Sequence, residues 1–306
     1  MSPPRPSRAA TLLLLGLAVP ALAAEREVDG LVIGKTPCVE AIRRVHAQHR
    51  ERLQASTEVP AEGSPELRML RHGLKKPEGD KTPYKALQAE QSKLDEAYAL
   101  EVAAKGPDQR GLNTEECNPF GYMSTYTLAL KALNIPEDLA RLDAAKLGAK
   151  KCPYVSDFIS VSSGVPDVRL LCLDGVVAAY SRLLPVPMPR LKEELAAKEG
   201  PPRELGMDAL TIEFASMTVP RFYSAAAFRH ADGLIVLKGH GTAPGGPVKV
   251  KQKGSDFLYE TPKTVNFDAQ SDLLYLSKAA VETLERDKTL YDELAAKAAS
   301  RKKKRR

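Results

Sequence analysis

Residues Asp29 to Cys38 read DGLVIGKTPC, and the Gly-Lys-Thr triplet within them is the kind that ends a phosphate-binding loop. Such a loop needs four residues between its first glycine and the triplet, so that its backbone N–H groups converge on an anion. Only the three apolar residues Leu31 to Ile33 separate Gly30 from Gly34. The stretch therefore predicts a short strand, a turn and a capped helix, and no nucleotide site.

A second glycine-rich stretch, GHGTAPGGP at Gly239 to Pro247, has the wrong spacing for a dinucleotide-binding turn. That turn has the pattern G-x-G-x-x-G and opens a helix, whereas Pro244 takes the place of the third glycine here. We expect a wide hairpin loop, with His240 as an ordinary loop residue.

His46 and His49 lie three residues apart on a predicted helix, with Glu40 nearby. Two imidazoles and a carboxylate can hold zinc, but the H-E-x-x-H pattern is absent and arginines surround the histidines. These residues predict a solvated helix face. We expect no metal site and no cofactor.

The sequence contains no recognisable hydrolytic nucleophile. Ser162-Ser163-Gly164 lacks the preceding glycine of a G-x-S-x-G turn, and no cysteine has the context of a nucleophile. Glu115 and Glu116 are adjacent carboxylates, and paired carboxylates for glycoside cleavage can come from anywhere in a chain. We assign no catalytic residue, and a hydrolase using Glu115 or Glu116 stays an alternative.

The four cysteines, Cys38, Cys117, Cys152 and Cys172, form no C-x-x-C pair for zinc or redox chemistry. An even number of widely spaced cysteines favours two disulfides in an oxidising compartment. The first expectation pairs Cys152 with Cys172 around a hairpin, and Cys38 with Cys117. The alternative joins Cys38, on the first helix, to Cys172 on a strand.

The N-terminal residues 1–23 have the pattern of a signal peptide. Arg5 and Arg8 precede the apolar run AATLLLLGLAV, and small residues up to Ala23 form a cleavage site. The apolar run is shorter than the ~20 residues that span a bilayer, so an uncleaved anchor is the less favoured alternative. We expect cleavage near Ala23, no transmembrane segment in the mature chain, and a periplasmic or secreted location.

Positive charge is concentrated at the C-terminus. Without residues 1–23 the chain keeps 43 of its 45 basic residues and all 39 acidic ones. Six of those 43 are the terminal Arg301, Lys302, Lys303, Lys304, Arg305 and Arg306, so the rest has 37 basic and 39 acidic residues. This balance predicts no nucleic-acid surface. The terminal run is either a solvated helix end or an arm for an anionic envelope component.

Residues 24–150 have a mainly helical pattern. Val28 to Ile33 predicts a strand, and Thr36 with Pro37 predicts the N-cap and first turn of an amphipathic helix. Residues 56–82 are rich in proline, glycine and charge and predict a loose connection. Further helices are expected at about 84–105, 124–133 and 136–147.

Residues 151–276 have the pattern of an antiparallel meander. Asp174-Gly175 and Asp232-Gly233 each separate two apolar runs, which is a strong signal for a tight hairpin. Predicted strands cover about 155–161, 168–173, 176–183, 210–217, 223–229, 234–238 and 248–253. A helix at 190–198 interrupts them, and whether it divides two domains stays open. A final helix begins at Lys278 and carries the basic tail within 277–306.

The run GLVIGKTPCVEAIRRV at Gly30 to Val45, the Asp174-Gly175 hairpin and LLYLSKAAVETL at Leu273 to Leu284 resemble parts of small exported bacterial proteins. The general pattern is similar to the helix-plus-meander folds of beta-lactamase-inhibitor protein and of small outer-membrane-assembly lipoproteins (SmpA/OmlA). The resemblance implies binding of a protein or of the envelope, without an enzymatic activity. Ala24 stands where the lipoproteins carry their lipidated cysteine.

We therefore expect an α+β protein whose helical N-terminal half packs on an antiparallel β-meander and whose C-terminal helix is long. The expected function is that of an exported, non-enzymatic protein that binds an envelope protein or an anionic envelope component. The alternatives are an envelope hydrolase that uses carboxylates and a polyanion binder that uses the basic tail.

Overall fold

The computed structural model describes residues 27–77, 79–105, 124–135, 159–162, 165, 168–210, 221–242, 250–253, 256–259 and 266–304. The helices in these ranges are α1 (Cys38–Ala55), α2 (Pro65–Gly73), α3 (Tyr84–Lys105), α4 (Ser124–Ala132), α5 (Met188–Glu199) and α6 (Lys278–Lys304). The helices expected at 84–105, 124–133, 190–198 and from Lys278 are confirmed. The helix expected at 136–147 lies outside the described residues.

The described strands are β1 (Glu27–Val28), β2 (Leu31–Val32), β3 (Ile159–Ser162), β4 (Val168–Leu173), β5 (Val176–Leu184), β6 (Arg203–Leu210), β7 (Arg221–His230), β8 (Gly233–Thr242), β9 (Val250–Lys253), β10 (Asp256–Tyr259) and β11 (Asn266–Ser277). Seven of them form one antiparallel sheet in the order β3-β4-β5-β11-β8-β7-β6. The α+β class, with helices packed on an antiparallel sheet, is confirmed. The strand order departs from the order along the chain at one point, because β11 lies between β5 and β8.

Both Asp-Gly hairpins are confirmed. β4 and β5 are joined by Asp174 and Gly175, whose φ angles of 51° and 79° are the left-handed pair that a tight hairpin needs. β7 and β8 pair up to His230 and Gly233. β11 then pairs with the second strand of each hairpin, β5 on one side and β8 on the other.

The opening stretch forms a two-stranded hairpin, β1 and β2, instead of one strand. Asp29 and Gly30 form its turn with φ angles of 52° and 77°. Thr36 is not the N-cap of α1, because its Oγ1 accepts a hydrogen bond from the Val32 N–H at 2.8 Å. Pro37 takes the cap position and α1 begins at Cys38.

Residues 56–82 are not wholly a loose connection, since α2 lies within them. The Ser64 side chain caps α2 by accepting a hydrogen bond from the Leu67 N–H at 3.2 Å. Leu67 and Leu74 pack against Leu87 of α3. The sequence does contain a start signal for this helix, because a serine precedes Pro65 and an acidic residue follows it. The helix is short.

Several strands differ from expectation. β6 runs from Arg203 to Leu210, ahead of the strand expected at 210–217, whose other residues lie outside the described ranges. Gly239 to Thr242 belong to β8 and not to a loop. The pattern did not predict β10 or β11 as strands.

Helices cover both faces of the sheet. α1 packs on β4 and β5, together with the half-buried Leu100 and Ala103 of α3. On the same face, α5 packs on β7, β8 and β11. On the opposite face, α4 and the start of α6 pack on the central strands. The strands before and after α5 belong to one sheet, so this helix covers a face of a continuous sheet.

A disulfide joins Cys38, at the start of α1, to Cys172 in β4. The first pairing expected from the sequence is therefore wrong, and the alternative is confirmed for this bond. Cys117 and Cys152 lie outside the described residues. Both bonded cysteines are buried, at 3% and 1% exposure, so the bond fixes α1 to the sheet from within the core.

Among the described helices, none combines the length and apolar character that crossing a membrane requires.

Candidate functional site

A group of polar side chains lies on one face of the three adjacent strands β7, β8 and β11. In the strand register, Lys238 of β8 lies opposite Asp272 of β11 and Ala225 of β7, and His240 lies opposite Tyr223. Residues two apart on a strand share a face, so these side chains project to the same side of the sheet. We call Tyr223, Lys238, His240 and Asp272 the polar cluster.

The polar cluster replaces an apolar core at one end of this face. Towards the other end, the same strands carry Leu234, Val236, Leu274 and Leu276, which are buried under α4 and α6. Lys238 follows directly in the Leu234–Val236 row and is only 1% exposed. Lysine is rarely this deeply buried, so the position departs from the apolar composition of the rest of the row.

Several groups surround the amine of Lys238. Its Nζ lies 4.7 Å from the centre of the Tyr223 ring, within the range of a cation–π contact. Burial lowers the pKa of the Lys238 amine from its ordinary 10.5, and the Asp272 carboxylate acts in the opposite direction. The neutral form of the amine is therefore more favourable at this buried position than it would be at the surface.

His240 and Asp272 form the open side of the polar cluster. His240 Nε2 lies 3.2 Å from Asp272 Oδ2, and their side chains are 22% and 27% exposed. A carboxylate in this position fixes the orientation of the ring.

The other side of β8 explains why its glycines alternate with the polar residues. A Cβ on Gly239 would lie 2.2 Å from Met188 Cβ of α5, so only glycine allows this helix to pack so closely. The sequence Lys-Gly-His-Gly-Thr at 238–242 therefore has polar residues on one face and glycines on the other. Sequence reasoning missed the site because these glycines were interpreted as a loop.

A second polar group fastens the β1–β2 hairpin to the sheet. The Asp29 carboxylate accepts hydrogen bonds from the Tyr180 hydroxyl and from Arg182 of β5, and Arg44 of α1 donates to the Gly30 carbonyl. Burial, followed by the contact with Asp29, raises the pKa of the Tyr180 hydroxyl. An open cleft of about 420 Å³ is lined in part by Asp29, Tyr180, Arg182 and Arg52. Because both Asp29 oxygens are engaged, this group acts as an anchor.

The exposed apolar side chains lie in the helical layer, which we define as α1, α2, α3 and their connections at residues 38–105. The large apolar residues found exposed in the described chain are Val39 (42%), Val59 (61%), Met69 (75%), Leu94 (53%) and Tyr98 (61%). Leu94 and Tyr98 lie one turn apart on α3 and so share a face. An open groove of about 860 Å³ beside α2 includes Val59, Pro60, Pro83 and Tyr84 in its walls.

The histidines considered for a metal site lie in the helical layer. His46 is fully buried, which corrects the expectation of a solvated face, and its Nδ1 lies 3.5 Å from Ser92 Oγ of α3. Burial, then the charges of Arg52 and His46, lowers the pKa of His49. Glu40 pairs with an arginine of its own helix at 2.9 Å. The described residues contain no group of three metal-ligating side chains.

The remaining candidates are only partly described. Glu115 and Glu116 lie outside the described residues, as do Ser163 and Gly164, while Ser162 ends β3. Of the basic tail, Arg301 to Lys304 continue α6 as helix, and Arg305 and Arg306 lie beyond the described part.

Comparison of the chain with protein-family models, with curated proteins and with solved structures found no match.

Proposed function

We propose that the protein is an exported, non-enzymatic binding protein of the bacterial envelope, and that it docks a protein partner on the outer side of the helical layer. The observation that carries this proposal is the location of the exposed large apolar side chains, which in the described chain all fall between residues 39 and 98. Two of them, Leu94 and Tyr98, share one face of α3, and neighbouring exposed apolar side chains are typical of interaction sites.

The Cys38–Cys172 disulfide supports export, because such bonds persist in oxidising compartments. It also supports docking, because it fixes the first helix of the layer to the sheet. A surface held in place in this way binds with little loss of conformational freedom.

The residues around Leu94 and Tyr98 favour a protein over a lipid surface. Lys93 and Asp95 flank Leu94 with charges of opposite sign, and Glu101 pairs with Lys105 at 2.6 Å one turn further along. A mixed polar rim around apolar side chains is typical of protein interfaces, whereas anionic membranes attract clusters of positive charge.

The experiment compares two double variants as baits in envelope extracts. We expect Leu94→Ser with Tyr98→Ser to reduce recovery of a specific partner at least about ten-fold, the effect of losing roughly 1.4 kcal/mol of binding. The matched control, Ala197→Ser with Lys198→Ser, changes two exposed residues of α5 and should retain the partner. Thermal unfolding checks that both variants fold. Equal recovery by the two variants, or no specific partner for the native chain, would contradict the proposal.

A second candidate function is binding of an anionic envelope component through the end of α6. Its support is that the basic run begins within a helix, where consecutive residues project around the whole axis. Deletion of residues 301–306 should abolish binding to vesicles rich in anionic lipid, and added salt should weaken binding of the native chain. Unchanged binding after deletion would remove this candidate.

The hydrolase alternative rests on residues outside the described ranges. It stays a prediction, and Glu116→Gln should abolish turnover of an envelope polymer without unfolding the protein if it is right.

A further inference from the structure

The open cleft of about 420 Å³ between α1 and the strands β4 and β5 has two arginine side chains in its wall, and we call it the arginine cleft. Its volume lies within the range of about 300–1,000 Å³ that is usual for sites of small molecules. Arg52 comes from the last turn of α1, and Arg182 comes from β5. The described residues that line the cleft do not include Leu94 or Tyr98, so it is separate from the docking surface proposed above.

Both guanidinium groups retain hydrogen-bond donors that no protein atom uses. In the described chain, the Arg52 side chain makes one hydrogen bond, from its Nε to the Gln48 carbonyl at 3.4 Å, and its two terminal nitrogens make none. Arg182 donates from Nη1 to the Asp29 carboxylate, and its Nε and Nη2 have no partner among the described residues. A guanidinium group has five N–H donors in a planar arrangement, which matches the two oxygens of a carboxylate.

The positive charge of the arginine cleft is only partly offset. The Asp29 carboxylate is engaged by Arg182 and by the Tyr180 hydroxyl. Arg52 and the exposed Glu51 make no ion pair within the described residues. Burial, followed by the contact with Asp29, raises the pKa of the Tyr180 hydroxyl. The charges of Arg182 and Arg52 both oppose this rise in pKa, so the two guanidinium groups lie near the same hydroxyl.

The remaining wall of the arginine cleft is largely apolar. Val45 of α1 and Val168 of β4 are 2% and 5% exposed, and Ala55 adds a methyl group. Donors on one side and apolar groups on the other fit an acid whose carboxylate is joined to a small apolar group. Phosphate fits less well, because it has no apolar part and because Asp29 already offsets one of the two positive charges.

We propose that the arginine cleft is a reversible binding site for a small organic acid, whose carboxylate lies between Arg52 and Arg182 and whose apolar part packs on the valines. Arg52 holds the carboxylate through its terminal nitrogens. Arg182 adds a donor while it keeps its bond to Asp29. Hydrogen bonds between charged groups of this kind are stronger than neutral ones and fix the orientation of the ligand.

Titration of the full chain with benzoate tests the proposal. Benzyl alcohol is the uncharged control of similar shape, and inorganic phosphate is the control for an anion without an apolar part. NMR of isotope-labelled protein follows the Nε–H signals of Arg52 and Arg182. We expect saturable shifts of both signals with a Kd of about 10 mM or below, and binding of benzyl alcohol at least about ten-fold weaker. Absence of saturable shifts, or equal or tighter binding of either control compound, overturns the proposal.

A pair of variants tests the role of Arg52. Arg52→Gln should weaken benzoate binding at least about ten-fold, because it removes the charge and the planar pair of donors. The matched control is Arg43→Gln, which changes an exposed arginine of the same helix that does not line the cleft. It should bind benzoate as the native chain does, and thermal unfolding checks that both variants fold. Equal binding by the two variants overturns the assignment of the carboxylate to Arg52.

Discussion

The helical layer and the polar cluster depart from the usual distribution of side chains in opposite directions. The helical layer places Leu94, Tyr98 and Met69 in water, whereas β8 places Lys238 in the core. Each arrangement makes the fold less stable than polar residues at the exposed positions and an apolar residue at the buried position would. An exposed apolar group costs little and suits a surface that associates and separates. Burial of an amine costs more free energy, and such an environment is typical of groups whose reactions water would suppress.

The largest expected effect comes from removing the disulfide that joins the helical layer to the sheet. Cys38→Ala with Cys172→Ala opens a loop of 134 residues, for which the chain-entropy model gives about 5 kcal/mol. We expect urea unfolding to show a loss of about 2 to 5 kcal/mol. Amide hydrogen exchange should rise more in α1 than in β8, and equal exchange increases would contradict the view that this bond holds the helical layer in particular.

The same substitution in each region should have opposite effects. Gly239→Ala places a Cβ 2.2 Å from Met188 Cβ, and we expect a loss of about 1 to 3 kcal/mol as α5 is displaced. The control is Gly73→Ala at the end of α2, where the new Cβ would lie 3.8 Å from Gln91 Oε1, an ordinary contact distance. It should be neutral or stabilising by up to about 1 kcal/mol. Equal unfolding midpoints would show that α5 does not depend on close contact with β8.

Replacing the buried amine tests whether the polar cluster costs stability. We expect Lys238→Met to increase the free energy of unfolding by about 1 kcal/mol at neutral pH, because burial disfavours the charged amine and methionine has a side chain of similar length without a charge. Burial lowers the Lys238 pKa from 10.5, so the native chain has its full stability above that pH and loses it as pH falls through the folded pKa.

The gain from Lys238→Met should therefore shrink as pH rises towards 10.5. Urea unfolding at neutral pH and at alkaline pH measures this change, with Lys278→Met as the exposed control. A variant less stable than the native chain at neutral pH would show that Lys238 contributes net stabilising contacts.

The sequence predicted the two regions unequally because their signals differ in range. The bounds of α3 follow from local periodicity, and the β4–β5 hairpin follows from Asp174-Gly175. The position of β11 between β5 and β8 depends on pairing across a long stretch of chain, for which no local signal exists. The disulfide partner of Cys38 likewise depends on that fold.

The polar cluster did have a local signal. Lys238, His240 and Thr242 alternate with glycines at the period of a strand, and the polar residues of a half-buried strand show the same period. The glycines outweighed this alternation, because glycine in a strand is uncommon without a close neighbour such as Met188. The packing of α5 explains the glycine at 239.

The smallest expected effect concerns protonation in the helical layer. Burial and the positive charges of Arg52 and His46 lower the pKa of His49 below 6.5, with Asp95 opposing them. A histidine with a lowered folded pKa contributes stability above pH 6.5 that is lost as pH falls through the folded value. We expect His49→Gln to reduce the acid-induced fall in unfolding free energy while leaving stability above that range nearly unchanged. A fall of the same size in the variant would assign the acid sensitivity of the helical layer to other groups.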